Sequence, residues 1–320
     1  MFDVIHSHSK IVVLMDKLAT YNYLNKSFRK KYIFNFGSEG GFYSEFNNMV
    51  FAIIYCLKHE YQFILYSGNS QFKINKGWED FFEPFTNTVN SSFHKRFNKR
   101  LTAKTLKLRH YPQWNFFKLF NKDTYLTYEL FHSFFNDDFL KEQFNFPELG
   151  LKGGLRDVSR EIVNMVYNFN DITKTEIQAA ISLLNLPVKY ASIHVRRGDK
   201  DTEYNFISTI TYIKKLNELS DLTDVFVLTD DYTVIEYLQA EHPNIHFYTL
   251  VNQEERGYIH SDFMKLSRSE KKNDLIKLFA SIEIMSTAEI TIGTYTTNPG
   301  IFLGMTMPED NFVSVQGSIW

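Results

Sequence analysis

The chain has 320 residues, 35 Lys and Arg against 37 Asp and Glu, a formal net charge of −2 at pH 7, 44% hydrophobic and 22% charged residues. That length builds one large domain or two ordinary ones, and the composition suits a soluble globular protein. The near-zero charge gives no reason to expect a nucleic-acid or membrane partner.

No apolar run approaches the ~20 residues of a membrane span. Ile11–Met15 is too short for a signal peptide and is flanked by Lys10 and Asp16. The single cysteine, Cys56, lies in the apolar run Phe51–Leu57. It allows no intrachain disulfide and no cysteine-based metal site, and it reads as a buried thiol in a reducing compartment. A cytoplasmic location is expected. Asn25–Lys26–Ser27 and Asn90–Ser91–Ser92 fit the glycosylation pattern, which matters only for a secreted chain.

In chain order, a helix is expected over Ile11–Leu24 and a strand over Tyr32–Phe36. The Gly-rich stretch Gly37–Glu45 follows, then a helix over Glu45–Lys58 with Phe46, Met49, Val50, Ile53, Ile54 and Leu57 at helical spacing. Gln62–Tyr66 reads as the next strand. This is one β-loop-α-β unit, the opening of a doubly wound domain. The glycine spacing does not match the dinucleotide fingerprint G-x-G-x-x-G. The loop is either a tight strand-to-helix turn or a set of backbone amides that approach a ligand.

Residues 70–150 show little period and suggest ordered loops and short helices, with Trp78 and Trp114 packed into core or surface. The basic stretch Phe93–Lys107 reads as a solvated face or loop. Gly150, Gly153 and Gly154 suggest an irregular passage. Residues 155–185 read as helical with a turn near Asn168–Asp171, and Pro187 opens the second half. The domain boundary is therefore expected near residue 186, giving domains 1–185 and 186–320.

The second half alternates regularly. Strands are expected over Val188–Val195, Asp224–Leu228, Ile245–Leu250 and Glu289–Ile292. Helices are expected over Thr209–Leu219, Val234–Glu241 and Asn273–Thr287, the last capped by Asn273. Alternation of this kind implies a parallel sheet. The strand ends run into Arg196–Lys200, Thr229–Asp231, Val251–Gly257 and Gly293–Asn298. Ligands of open α/β sheets sit at such carboxyl ends.

Two adjacent arginines at a buried strand end fit a multiply charged anion, and a diphosphate is the expected one. Strand alternation puts His194 and Arg196 on one face and Val195 and Arg197 on the other. Arg196 is expected to take the phosphate and Arg197 to pair with Asp199 or Asp230. The plain alternative is that both arginines are buried ion pairs. The hydroxyls and amides of Gly293–Asn298 supply neutral donors. Asp230 and Asp231 are adjacent and would point to opposite sides of an extended chain, so a metal is not expected. Arg, Lys and backbone amides would instead neutralise a leaving diphosphate. Glu203 and Lys200 follow in the loop over the cleft, where a carboxylate can take a proton from a hydroxyl.

His194–Val195–Arg196–Arg197–Gly198–Asp199–Lys200 resembles the signature of GDP-fucose-dependent fucosyltransferases of the α1,6, α1,2 and protein O-linked superfamily. The resemblance continues through Val227–Asp231, Ile282–Ser286 and Gly293–Asn298, and covers about residues 188–300. Lys200 and Glu203 also suit the α1,6 branch; the α1,2 branch is second. Gly77–Trp78–Glu79 and the Gly37–Phe42 loop loosely resemble N-terminal features of the same branch.

The resemblance implies a GT-B-like α/β fold, two Rossmann-type doubly wound domains facing a central cleft, and inverting transfer of fucose from GDP-fucose to a glycan hydroxyl without a metal or other cofactor. The N-terminal domain would hold the acceptor and the C-terminal one the nucleotide sugar. His194, Arg196, Arg197, Asp230, Thr296, Thr297 and Asn298 would bind the donor, joined by Gly41 and Phe42. Glu203 would be the base, with Lys200 near it and Arg196 on the β-phosphate. Ser281 stands where the family pattern places a guanine-reading Asp, with Glu283 close by. A glycosyltransferase using another nucleotide sugar, and a non-catalytic nucleotide- or carbohydrate-binding relative, are the alternatives.

Overall fold

The computed structural model describes residues 16–101, 107–198 and 206–317. Contacts divide the chain into two compact units that meet in sequence at Asn170 and Asp171.

The first unit is built on β1 (Lys30–Asn35), α1 (Phe42–His59) and β2 (Tyr61–Tyr66), close to the expected unit. β3 (Thr124–Leu126) completes a parallel sheet of order β2-β1-β3, with Tyr32 opposite Phe63 and Tyr125. Tyr32–Phe34 and Phe63–Leu65 are continuous apolar runs because both faces of the sheet are covered. One face packs Ile33, Ile64 and Leu126 against Phe93, Trp114 and Phe117. On the other, Tyr32, Phe34, Phe63 and Phe134 meet ring to ring. The helix α1 ends at Glu60, whose left-handed φ of 57° turns the chain directly into β2.

Residues 16–27 are helical; the part of the expected first helix before residue 16 lies outside the described residues. Asn25 is 2% exposed and binds Phe63 as a neighbouring strand would, with Nδ2 donating to Phe63 O and Oδ1 accepting from Phe63 N. It closes the edge of β2, so its match to the glycosylation pattern has no structural meaning. Next come α2 (Ser92–Phe97) and α3 (Tyr111–Phe120). The expected irregular passage is an antiparallel pair, β4 (Gln143–Phe146) and β5 (Leu151–Gly154), turned by Gly150 at φ 63°. α4 (Leu155–Val166) ends the unit.

The second unit opens with α5 (Asp171–Ser182), one helix ahead of the expected 186 boundary. α5 belongs here because it packs along α8 (Arg268–Thr287), with a Lys272–Glu176 ion pair between them. Five strands form a wholly parallel sheet: β6 (Ala191–Val195), β7 (Asp224–Thr229), β8 (His246–Tyr248), β9 (Ile290–Gly293) and β10 (Phe312–Ser314). Their spatial order is β10-β9-β6-β7-β8. This is the doubly wound order, in which the direction of winding switches between β6 and β9. Ala191, Ile193 and Val195 face α6 (Thr209–Leu219) and α7 (Thr233–Glu241) through Ile213, Leu216, Ile235 and Leu238. On the opposite face Ser192 Oγ meets Thr291 Oγ1 at 2.6 Å, and Thr291 Oγ1 donates to Met285 O of α8 at 2.9 Å.

The strand boundaries differ from expectation at the surface. Val188 is 97% exposed and precedes the strand, and β8 keeps only three residues at the sheet edge. The α8 cap is Ser267, not Asn273: its Oγ accepts from Glu270 N while Glu270 accepts from Ser267 N. Among the described residues, no helix is long and apolar enough to cross a membrane.

Candidate functional site

The switch point puts the carboxyl ends of β6 and β9 side by side, the place where open α/β sheets bind ligands. His194 is the last residue but one of β6 and is 3% exposed. Burial, with the Arg196 charge second, pushes its imidazole pKa down to about 3. It is thus a neutral ring at physiological pH. Its Nδ1 lies 3.4 Å from Thr297 Oγ1, across the two strand ends.

Thr297 caps α9 (Asn298–Thr306), accepting from Gly300 N at 3.2 Å and donating to Thr294 O at 3.1 Å. Pro299 in the first turn has no amide hydrogen to satisfy. Gly300 is required: a Cβ would stand 2.0 Å from Thr294 O. Thr296 Oγ1 meets Thr294 Oγ1 at 3.0 Å, and Thr294 Oγ1 donates to Gln316 O at 2.9 Å. The segment thus brings the positive end of a helix and a hydroxyl cluster to the β9 end.

Asp230, one residue past β7, organises the β6 end. Its Oδ1 accepts from Arg197 N at 2.8 Å, and its Oδ2 takes Arg196 Nη1 at 2.6 Å and Tyr258 N at 3.2 Å. The Asp230 main-chain carbonyl accepts from Gly257 N at 2.8 Å. The Arg196 guanidinium lies 5.1 Å over the Tyr258 ring. Gly198 closes the turn at φ 34°, where a Cβ would stand 2.4 Å from Tyr258 O and 2.5 Å from Asp230 Oδ2. Only glycine lets the β6 and β7 ends approach this closely.

Of the two carboxylates expected to pair with Arg197, Asp199 lies outside the described residues and Asp230 pairs with Arg196 instead. Arg197 binds neutral acceptors: Nη1 donates to Ile207 O at 3.0 Å and Nη2 to Thr209 Oγ1 at 2.6 Å. Its guanidinium also lies 5.4 Å over the Phe206 ring. Arg197 ties the strand end to the start of α6, and Asp230 aims Arg196. Asp231 faces elsewhere, its Oδ1 accepting from Thr233 N and Oγ1 at the start of α7. Among the described residues no three His, Cys, Asp or Glu side chains gather as a metal site.

Asp199, Lys200 and Glu203 lie outside the described residues. Ser281 is buried within α8, its hydroxyl donating to Lys277 O at 2.8 Å. Glu283 is partly buried, and burial raises its carboxyl pKa. In the first unit Gly41 is the residue before α1, with open space where a Cβ would stand. Phe42 is 4% exposed and packs among Phe36, Phe46, Phe72 and Phe82, so its ring is core. Three amides of the Gly37–Glu45 loop, read as either a tight turn or a ligand cradle, are bound internally. Glu45 accepts from Gly37 N, Glu39 N and Gly40 N at 3.1, 3.3 and 2.8 Å. Trp78 is 3% exposed and stacks 4.3 Å from Phe82, a core residue likewise.

Sequence reasoning missed Tyr258 and Gly257. Their only signal was a glycine in the polar stretch after β8, since Gly257 at φ 96° packs on Gly198 with no room for side chains between them.

No family model matches the chain, and no curated protein does so by sequence. Solved structures do. The fucosyltransferase NodZ from Bradyrhizobium aligns with TM-score 0.52 at 12% identity, covering 88% of this chain and 94% of that one. NodZ α-1,6-fucosyltransferase co-crystallised with GDP aligns with TM-score 0.51 at 10% identity, over 88% and 93%. The same enzyme soaked with GDP-fucose gives 0.50 at 11% identity, over the same shares. The chain therefore has a mixed α/β fold with parallel sheets shared with the fucosyltransferases, the group whose signature the residues around Arg196 resemble.

Proposed function

We propose that the chain is a GDP-fucose-dependent glycosyltransferase that moves L-fucose to a hydroxyl of a glycan acceptor. One observation carries this reading. Arg196, aimed by Asp230 and Tyr258, stands at the β6 carboxyl end, and the neighbouring β9 end presents the Thr297-capped start of α9. A guanidinium beside neutral donors is the chemistry a leaving diphosphate requires. The shared fold with NodZ, soaked with GDP-fucose in one structure, supports the same donor.

In this reading the two units are Rossmann-type domains of a GT-B-like enzyme, the first on the acceptor side and the second holding the donor. The acceptor oxygen attacks C1 of fucose, the bond from C1 to the β-phosphate oxygen breaks, and GDP leaves with that electron pair. A single displacement of this kind inverts C1. Glu203 takes the acceptor proton and Lys200 lies near it, as the family resemblance implies. Arg196 and the donors near Thr296, Thr297 and Asn298 stabilise the charge that develops on the diphosphate. Neutral His194 adds a hydrogen-bonding ring without repelling Arg196. No metal takes part, and the reaction proceeds in the cytoplasm.

The test is transfer from GDP-fucose to a panel of oligosaccharides, with product linkage read by NMR and repeated after chelation. Arg196→Ala abolishes transfer while circular dichroism and unfolding remain cooperative. Undiminished transfer by that variant would sink the proposal, as would donor use restricted to UDP- or dTDP-sugars.

A further inference from the structure

The near-balanced net charge conceals a strong local imbalance. The residues between Glu83 and Asp123 hold nine of the chain's 35 Lys and Arg and none of its 37 Asp and Glu. Among the described residues Arg100 pairs with Glu39 and Lys118 with Glu129. Lys95, Arg96, Lys107 and Arg109 are exposed.

The apolar side of the same region is equally unusual. α3 is a ten-residue helix with no fully buried residue. Its inner side chains Trp114 and Phe117 pack on Phe93, the latter ring to ring at 4.2 Å. Its outer side chains Phe116, Leu119 and Phe120 fall within about one helical turn and are 67%, 62% and 70% exposed. Phe116 and Phe120 stand ring to ring at 5.0 Å. Arg96 Nη1 reaches Gln113 Oε1 at 3.4 Å and ties α2 to α3. Between the two helices runs an open groove of about 1330 Å³, bordered by Lys95, Arg96, Lys99, His110, Phe116 and Phe120.

We propose that this face docks the first unit onto an anionic lipid surface, with Phe116, Leu119 and Phe120 entering the boundary between headgroups and acyl chains. The cations of α2 and of the turn before α3 lie against lipid phosphates. Charge complementarity selects an anionic occupant, since no acidic residue interrupts the segment. Three large apolar side chains projecting outward select a lipid surface over a soluble polyanion, because a soluble polyanion leaves them in water. Each cation at an anionic surface adds roughly five-fold to partitioning. This inference is independent of the donor-site reading. It concerns attachment to a surface and not a membrane span.

The experiment is co-sedimentation of the full chain with vesicles of phosphatidylcholine alone or mixed with phosphatidylglycerol, at low and high salt. Binding to the mixed vesicles only, weakened by salt, is expected. The double variant Phe116→Ser with Phe120→Ser lowers partitioning by about ten-fold or more. Lys95→Glu with Arg96→Glu removes binding. GDP affinity, measured by calorimetry, is unchanged in both because these residues are exposed and lie outside the donor site. No binding to phosphatidylglycerol vesicles would overturn the inference, as would binding that both double variants leave intact. Salt-sensitive binding of a soluble heparin-type oligosaccharide or an oligonucleotide that matches vesicle binding and is lost in the same variants would also overturn it, reassigning the groove to a soluble polyanion.

Discussion

Arg196 and Asp230 form one ion pair, yet removing either partner has a different consequence. Their side chains are 22% and 13% exposed, so the pair is mostly shielded from water. Asp230→Ala removes the acceptor for three donors: Arg196 Nη1, Arg197 N and Tyr258 N. Losing one partner of a buried pair costs about 3–5 kcal/mol. The residual exposure of the guanidinium brings the expectation to the lower end, about 3 kcal/mol. Arg196→Ala leaves the carboxylate with both backbone N–H donors, so the charge stays compensated. That loss is about 1.5 kcal/mol, the lower value for one hydrogen bond to a charged group. A domain of this size loses about 2–4 °C in Tm per kcal/mol. Asp230→Ala is thus expected to shift the unfolding of the second unit by about 6–12 °C and Arg196→Ala by about 3–6 °C. Urea unfolding and calorimetry of both single variants and the double variant measure this directly. The double variant should lose little beyond Asp230→Ala. If Arg196→Ala proves as destabilising as Asp230→Ala, Asp230 is not the hub described above.

Three further outcomes follow from the same geometry. Gly198→Ala forces a Cβ to within 2.4 Å of Tyr258 O at φ 34°; it should cost about 2–4 kcal/mol in urea unfolding and abolish GDP binding. Gly41→Ala, with open space and a φ of −64°, should stay within about 1 kcal/mol of the parent in the same assay. His94 and His194 are each 3% exposed, and burial pushes their pKa values down to about 4 and about 3. The unfolded chain therefore binds more protons, and stability falls as pH drops below about 6.5 towards those values. Each histidine should remove roughly 2 kcal/mol between pH 7 and pH 5, and His94→Gln and His194→Gln should each flatten the pH profile of urea unfolding by that amount. A profile unchanged in both variants would show that neither ring is buried neutral.

The strand Ala191–Val195 and the polar cluster after it were legible because a strand buried on both faces carries no charge, its polar Ser192 and His194 being paired with Thr291 and Thr297, and adjacent arginines can follow only where the chain leaves the sheet. The doubly wound alternation was legible for the same reason. The arginine pairing was not. Alternation of side chains assigns faces only while the strand lasts, and β6 ends at Val195. Beyond it the Gly198 turn sets the directions, so Asp230 meets the Arg196 side chain and not that of Arg197. Tyr258 reaches the site from the stretch after β8, a long-range contact that no local spacing encodes. The start of α8 was hidden because its first two turns, Arg268–Asp274, are polar and carry no apolar period, although the Ser267–Glu270 capping box marks them. In the first unit the Gly-rich loop read equally as a tight turn or a ligand cradle, and no local spacing shows that Glu45, one turn into α1, binds its amides.

The most direct test of the central claim is a calorimetric titration of GDP into the parent chain and into Arg196→Ala. The account predicts that the parent binds GDP in preference to UDP and that the variant binds about 10- to 100-fold more weakly, the value of one charged contact to phosphate. Equal GDP affinity in the two proteins, or tighter binding of UDP by the parent, would contradict it.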